Sequence, residues 1–303
     1  MQGFVLSGFL SYFGLPQLLG LCSSVLFSIT LVLLRQGMRT STPLTAVLTI
    51  NSIVSLGGFI ASYLYEDWGN IIPMAIFWFA CMGLIGAGIG AICRMVAVVR
   101  MDLSSSTLVA STTPIWGALF AIFFLGEDPT VRVLIGTLLI VFGVCILTIG
   151  RENVETDFKH WFRTALIFPI VASVVYAIAP IFTKYGYFYQ KTPFLALGVS
   201  FGLGNVLLLL ARPILPKGNA IYAPFKSLIC FVVGGIFNTA AAFSFMYALT
   251  FGDVTLILPM SRFTPLWVVL FSSIFLRKIE NINFMVVFAA ITVVCGGLLI
   301  SLK

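Results

Sequence analysis

Thr113-Pro114-Ile115-Trp116 in the first half of the chain returns as Thr264-Pro265-Leu266-Trp267 in the second, 151 positions later. The pattern is embedded in almost wholly apolar sequence, so its return marks duplication of a membrane-spanning unit rather than a local motif of a soluble domain. Of the 303 residues, 60% are hydrophobic and only 9% are charged, and the mean hydropathy is +1.11. A soluble domain carries about 25% charged residues. Crossing ~30 Å of hydrocarbon takes roughly 20 apolar residues in a helix. Such stretches begin near Leu18, Leu44, Ile72, Leu103 and Val131, and again near Arg163, Pro193, Phe225, Val254 and Ile282. The strands of a membrane barrel would alternate polar and apolar residues, and residues 131–149 do not.

The correspondence between the halves extends along the chain. Upstream of the opening pattern Asp102 meets Asp253, Ala97 meets Ala248, Met95 meets Met246 and Gly83 meets Gly234. Downstream, after a two-residue insertion, Glu127 meets Glu280 and Gly143 meets Gly296, while near the start of each half Arg35 and Gly37 meet Lys184 and Gly186, and Thr42-Pro43 meets Thr192-Pro193. Each half therefore holds five spans. Because five is odd, the second copy enters the membrane in the opposite sense. The expected fold is an all-α integral membrane protein of ten transmembrane helices in two inverted five-helix repeats, residues 17–149 and 163–302. An interfacial segment, 1–16, precedes them and a polar loop, 150–162, joins them. The first fifteen residues hold no Lys or Arg and so lack the charged start of a cleavable signal. The six cysteines form no CxxC pair and the single histidine, His160, lies in the loop, so neither a metal, a cofactor nor a disulfide framework is expected.

The fourth span of each half, residues 103–127 and 254–280, begins after an Asp, carries a Pro near its middle and ends close to a Glu. With the five-plus-five arrangement, the chain resembles the EamA-type members of the drug/metabolite transporter superfamily over nearly its whole length. The resemblance implies a central substrate cavity lined by spans 1, 3, 4, 6, 8 and 9, with the fifth spans packed at the ends. Small cationic-drug antiporters of that superfamily use a carboxylate in the first span. Residues 18–34 offer only Ser23, Ser24, Ser28 and Thr30, which argues against cation export by that chemistry and against proton coupling through a buried carboxylate.

All ten carboxylates fall at expected loops or span ends, whereas two arginines, Arg94 and Arg262, fall inside spans 3 and 9. Burying such a charge at the bilayer centre costs roughly 2.5 kcal/mol or more, so it faces a cavity or a partner. Arg94 lies eight residues before Asp102, about 12 Å from one membrane face at ~1.5 Å per residue, and Arg262 lies nine after Asp253, about 13 Å from the other. In a core of ~30 Å both heads come near the midplane. They are candidates to engage a carboxylate or phosphate through their donor forks. The competing reading has Arg94 snorkelling and Arg262 bonding carbonyls freed by Pro259 and Pro265. Plastid sugar-phosphate translocators of the superfamily carry a Lys-Arg pair near this place; here Ser261 replaces the first member, which favours a mono-anion or zwitterion over a phosphate. Further candidate lining is Phe27, Ser28, Ser111, Thr112, Trp116, Tyr176, Asn238, Tyr247 and Trp267, where rings would hold an apolar portion and Ser or Asn fix orientation. Ordinary helix packing competes at each of them. Pro114, Pro259 and Pro265 are candidate hinges.

The expected activity is secondary transport, by export, facilitation or exchange, of a small anionic or zwitterionic amino or organic acid. A phosphorylated-metabolite exchanger and a non-transporting membrane scaffold or receptor are the alternatives. No HExxH or paired-aspartate motif suggests an enzyme, and no basic cluster with interleaved aromatics suggests a nucleic-acid partner. The expected partners are a small-molecule substrate and the lipid bilayer, in a monomer or loose homodimer of a bacterial cytoplasmic membrane. Outside the two arginines, eleven Lys/Arg fall on the face of the loops after spans 1, 3, 5, 7 and 9 and four on the other. The charge bias places the richer face in the cytoplasm and both termini outside, whereas the resemblance implies both termini inside.

Overall fold

In a computed structural model, the described residues are 14–100, 109–151, 167–215, 220–275 and 284–301. Nearly all of the expected interfacial segment, and the loop beyond Arg151, lie outside them. Every regular element among the described residues is helical, with no strand. Six helices are long and apolar enough to cross a membrane and four shorter apolar helices accompany them, Thr113–Leu125, Val131–Leu147, Val254–Val268 and Val287–Ser301.

In chain order the α-helices are α1 (Leu15–Gly37), α2 (Pro43–Tyr65), α3 (Pro73–Met82), α4 (Ala91–Arg100), α5 (Thr113–Phe120), α6 (Val131–Arg151), α7 (Ile167–Tyr189), α8 (Pro193–Ala211), α9 (Phe225–Phe251), α10 (Val254–Ser261), α11 (Thr264–Phe275) and α12 (Phe284–Ser301). Proline stands in the first turn of α1, α2, α3, α5 and α8, where its missing amide costs no helical bond and its fixed φ suits the helix. Thr42 caps α2 by accepting from the Thr45 amide at 3.3 Å. Glu66 caps α8 from outside it, its two oxygens accepting the amides of Phe194 at 2.8 Å and Leu195 at 2.9 Å.

Packing follows the repeat. Helix α1 of the first half runs against α9, α10 and α11 of the second, and α7 of the second half runs against α3, α4 and α5 of the first; α2 pairs with α8 and α6 with α12. Every one of these partnerships crosses between the halves, and exchanging the halves maps the set onto itself. Small residues permit the close crossings. A Cβ on Gly136 would meet the Gly296 carbonyl oxygen at 2.6 Å, and one on Gly296 would meet the Gly136 oxygen at the same distance.

Three features depart from uninterrupted α-helical spans, one of them a five-residue π-helical stretch, Ala121–Leu125, that continues α5. Between α3 and α4 lies an eight-residue π-helical stretch, Gly83–Gly90, with sequence GLIGAGIG. Four glycines there let the chain lie against α7 and α8, with Gly83 on the Ser200 backbone and Gly86 on Ala179. The corresponding stretch of α9 is continuous α-helix. The third departure corrects the expectation for both fourth spans. Each is broken, at residues 111–112 before α5 and at residues 262–263 between α10 and α11. The breaks fall at corresponding positions of the repeat, immediately before the Thr-Pro dipeptide.

Candidate functional site

Proline explains both breaks and threonine explains why they are tolerated. Pro114 and Pro265 have no amide to donate to the carbonyls four residues back, those of Ala110 and Ser261. In each copy the preceding threonine supplies the missing donor. Thr113 Oγ1 donates to the Ala110 oxygen at 2.6 Å, and Thr264 Oγ1 donates to the Ser261 oxygen at 3.0 Å. The turns tighten locally, with Arg262 N donating to Pro259 O at 3.0 Å and Thr112 N to Val109 O at 3.1 Å.

The same threonines join the halves. Thr113 Oγ1 lies 3.1 Å from Ser173 Oγ on α7, and Thr112 Oγ1 lies 3.0 Å from that oxygen. In the other copy the one proton of Thr264 Oγ1 is shared between the nearer Ser261 oxygen and the Ser24 carbonyl oxygen on α1 at 3.4 Å, and Trp267 Nε1 donates to Ser24 Oγ at 2.9 Å. Ser24 and Ser173 are both completely buried. They occupy the offset of 149 that relates Arg35 to Lys184. That shared offset was the sequence signal for two residues absent from the candidate lining.

One turn beyond Ser173 on α7 is Tyr176, the centre of the charged group. Its ring packs against Gly90, where a Cβ would stand 3.1 Å from Cε1. One turn beyond Gly90, Arg94 is within hydrogen-bonding reach of the Tyr176 hydroxyl, and Arg262 acts electrostatically on both. Arg94 is exposed and Arg262 is half-buried. Arg262 sits in the break between α10 and α11 with φ −86° and ψ 6°. Its Nε is buried without a hydrogen-bond partner among the described residues. Of the two carbonyls in the competing role for this side chain, the one that Pro265 frees is bonded by Thr264, and the one that Pro259 frees belongs to Thr255, two turns back along α10.

Of the sequence candidates, Arg94, Tyr176, Arg262 and Thr112 are thus brought to one region. Others point elsewhere. Ser111 is buried, and its Oγ lies 3.1 Å from Cys145 Sγ on α6; the break turns it toward the fifth span of its own half. Tyr247 is 44% exposed and packs edge-on against Phe251 at 5.0 Å, on the outer face of α9. The Trp267 indole is committed to Ser24, and Ser28 Oγ donates back to Val25 O at 2.5 Å. Phe27 and Trp116 are half-buried on α1 and α5. Asn238 is buried on α9, one turn past Gly234, the glycine that faces α1 at Thr30 and Leu33. Pro114 and Pro265 begin the helices after the breaks, and Pro259 lies within α10. Pro180 inside α7 was not among the candidates. It removes the amide that would bond the Tyr176 carbonyl, placing one more kink beside the charged group.

The described carboxylates stand apart from this group. Glu127 accepts the first amides of α10, Val254 N at 2.8 Å and Thr255 N at 2.9 Å. Lys184 Nζ donates to Gly252 O at 2.7 Å just before that helix. Asp67 accepts from Gly69 N and Asn70 Nδ2, and Asp128 and Asp253 are exposed. No cluster of His, Cys, Asp or Glu among the described residues could hold a metal ion. An open groove of about 460 Å³ along α6, lined by Ile135, Leu138, Leu139, Val141, Phe142 and Cys145, is apolar and suits acyl chains rather than a polar ligand.

The fold matches known proteins. A crystal structure of a protein with 18% identity superposes with a TM-score of 0.79 over 95% of this chain and 98% of that one. No curated protein matches the chain. The family model of the EamA-like transporter family matches residues 14–149 and again 163–302, the two halves that the repeated Thr-Pro pattern delimits. The chain belongs to the EamA-like transporter family of the drug/metabolite transporter superfamily, whose members are membrane transporters.

Proposed function

We propose that the protein moves a small organic anion across the membrane by alternating access, with ten spans in two inverted repeats and the anion held at Arg262 between the broken fourth spans. The observation that carries the reading is the orphaned Nε of Arg262 beside a carbonyl already satisfied by Thr264. A buried guanidinium donor left unpaired costs about 1–3 kcal/mol or more. A carboxylate or phosphate oxygen removes that cost and gains a charge-assisted bond. Discontinuous helices at mid-membrane are the usual place for such a site, because their ends present backbone dipoles to a ligand. Arg94 binds from the opposite repeat and Tyr176 from α7 of the same one, and Ser173 with Thr112 fixes α7 to the first break. Pro114, Pro180, Pro259 and Pro265 concentrate bending in the elements that hold the ligand.

Comparing metabolites of cells with and without the protein, followed by flux into proteoliposomes, tests this. Transport of at least one organic anion is expected, with a tenfold or greater loss in Arg262→Ala. An unchanged anion profile, or flux indifferent to Arg262, would remove the proposal.

A further inference from the structure

We infer that, on the alternating-access reading above, Glu127 and Lys184 latch one membrane face shut, and that Glu280 and Arg35 latch the other face in the opposite state. Two contacts shared by the halves lead to this. A Cβ on Gly186 of α7 would run into the Phe79 ring of α3, and one on Gly37 of α1 would run into the Phe231 ring of α9. Gly37 and Gly186 are repeat-mates, and both phenylalanines are completely buried. The helix pairs α3–α7 and α1–α9 are thus packed alike almost to their charged ends. Those ends differ. Two residues before Gly186, Lys184 is half-buried and its Nζ donates to Gly252 O at 2.7 Å. Two residues before Gly37, Arg35 is exposed.

Lys184 is engaged because the first turn of α10 is held beside it. Glu127 reaches across from the first half, after Gly126 turns the chain at φ 66°, and accepts both Val254 N and Thr255 N. Glu127 and Asp253 both act electrostatically on Lys184. Gly252 closes on the start of α1, where a Cβ would stand 2.6 Å from Pro16 Cβ. Four chain ends therefore meet around the helix whose far end carries Arg262. A carboxylate at a helix N-terminus gains from free amides and the helix dipole, yet contacts this near the water open at modest cost. Each member has a repeat-mate at the opposite face: Glu280 for Glu127, Arg35 for Lys184 and Asp102 for Asp253. Asp102 and Glu280 lie outside the described residues, and their pairing comes from the repeat alone. The fourth spans run antiparallel, so the end of each meets the start of the other at opposite faces. Opening one latch while the other forms exchanges the face from which Arg262 is reached.

The test is amide hydrogen exchange, read by mass spectrometry on the full chain in lipid nanodiscs, for wild type, Glu127→Gln, Lys184→Gln and Glu280→Gln. Glutamine keeps the bulk of either glutamate and one oxygen to accept an amide, so the latch is weakened while its packing stays. Glu127→Gln and Lys184→Gln are each expected to speed exchange at residues 254–258 by roughly threefold or more and to slow it by a similar factor at the repeat-mates 103–107. Glu280→Gln is expected to do the reverse. Faster exchange at 254–258 with 103–107 unchanged would mean a local helix cap and would overturn the latch, as would faster exchange at both faces or a change at neither. The readout needs no substrate. Lost reciprocity with Arg262-dependent flux intact overturns the latch alone, whereas reciprocal exchange with flux indifferent to Arg262 supports the latch and removes the anion site.

Discussion

At the scale of single residues, the Thr-Pro dipeptide is a matched pair: proline removes a helical donor and the adjacent threonine restores one to the same carbonyl. The hydroxyls of Thr113 and Thr264 therefore do work that valine, similar in shape, cannot. Thr113→Val and Thr264→Val are each expected to destabilise the protein by about 1–3 kcal/mol, the cost of an unsatisfied buried carbonyl, while serine at either position restores most of it. Thermal unfolding in detergent measures this, and a neutral valine would mean that water serves the carbonyl instead. Arg262 owes its freedom to the same bond. The identities of Arg94, Tyr176 and Arg262 were legible in the sequence because charge and phenol stand out in apolar helices. The orientation of Ser111 was not, because the direction of a side chain beside a broken turn depends on a backbone angle that residue spacing does not carry, and Tyr247 falls on the outer face of the continuous α9. Ser24 and Ser173 were legible in principle through their shared offset, but serine is common enough in membrane helices to pass as packing.

At the scale of elements, periodicity and length predict helices well and their interruptions poorly. The starts near residues 44, 131, 193, 225 and 254 lie within a residue of α2, α6, α8, α9 and α10, since Thr-Pro, Pro and Asp punctuate them. The breaks at residues 111–112 and 262–263 fall at short polar stretches, Ser111-Thr112-Thr113 and Ser261-Arg262, inside spans that are apolar on average, so window-averaged hydropathy passes over them and only these residues and the prolines hint at them. The π-helical stretch at Gly83–Gly90 is likewise set by what it packs on. Gly83→Ala would drive a methyl group into the Ser200 backbone and is expected to cost about 1–3 kcal/mol as an overpacked contact, measured as a lowered unfolding midpoint. Gly126→Ala, at the one positive φ among the described residues, 66°, with open space around it, is expected to cost less, about 1 kcal/mol, through backbone strain alone. At the start of α10, Glu127 holds two amides with charge-assisted bonds. Glu127→Ala should lower stability by about 1.5–3 kcal/mol, and Glu127→Gln by less, because one amide oxygen remains to accept. Equal stability of wild-type and Glu127→Ala would show that the cap adds nothing to the fold.

At the scale of the whole molecule, duplication explains both the symmetry and its use. Each principal packing partnership crosses between the halves, so neither repeat buries its faces alone, and a rocking of one against the other moves the same contacts in mirror fashion. The two copies are alike at the Thr-Pro turn and differ at the residue that opens the break before it, Ser111 in the first and Arg262 in the second. The central claim is that Arg262 is held open for an anion by a threonine that takes its competing partner. The most direct measurement is flux, in proteoliposomes, of the anion identified by metabolite comparison, for wild-type, Arg262→Ala and Arg262→Lys proteins whose unfolding midpoints have been matched. Flux should fall at least tenfold in Arg262→Ala and recover in part in Arg262→Lys, which restores the charge without the fork. Wild-type flux through Arg262→Ala, at unchanged stability, would contradict the account.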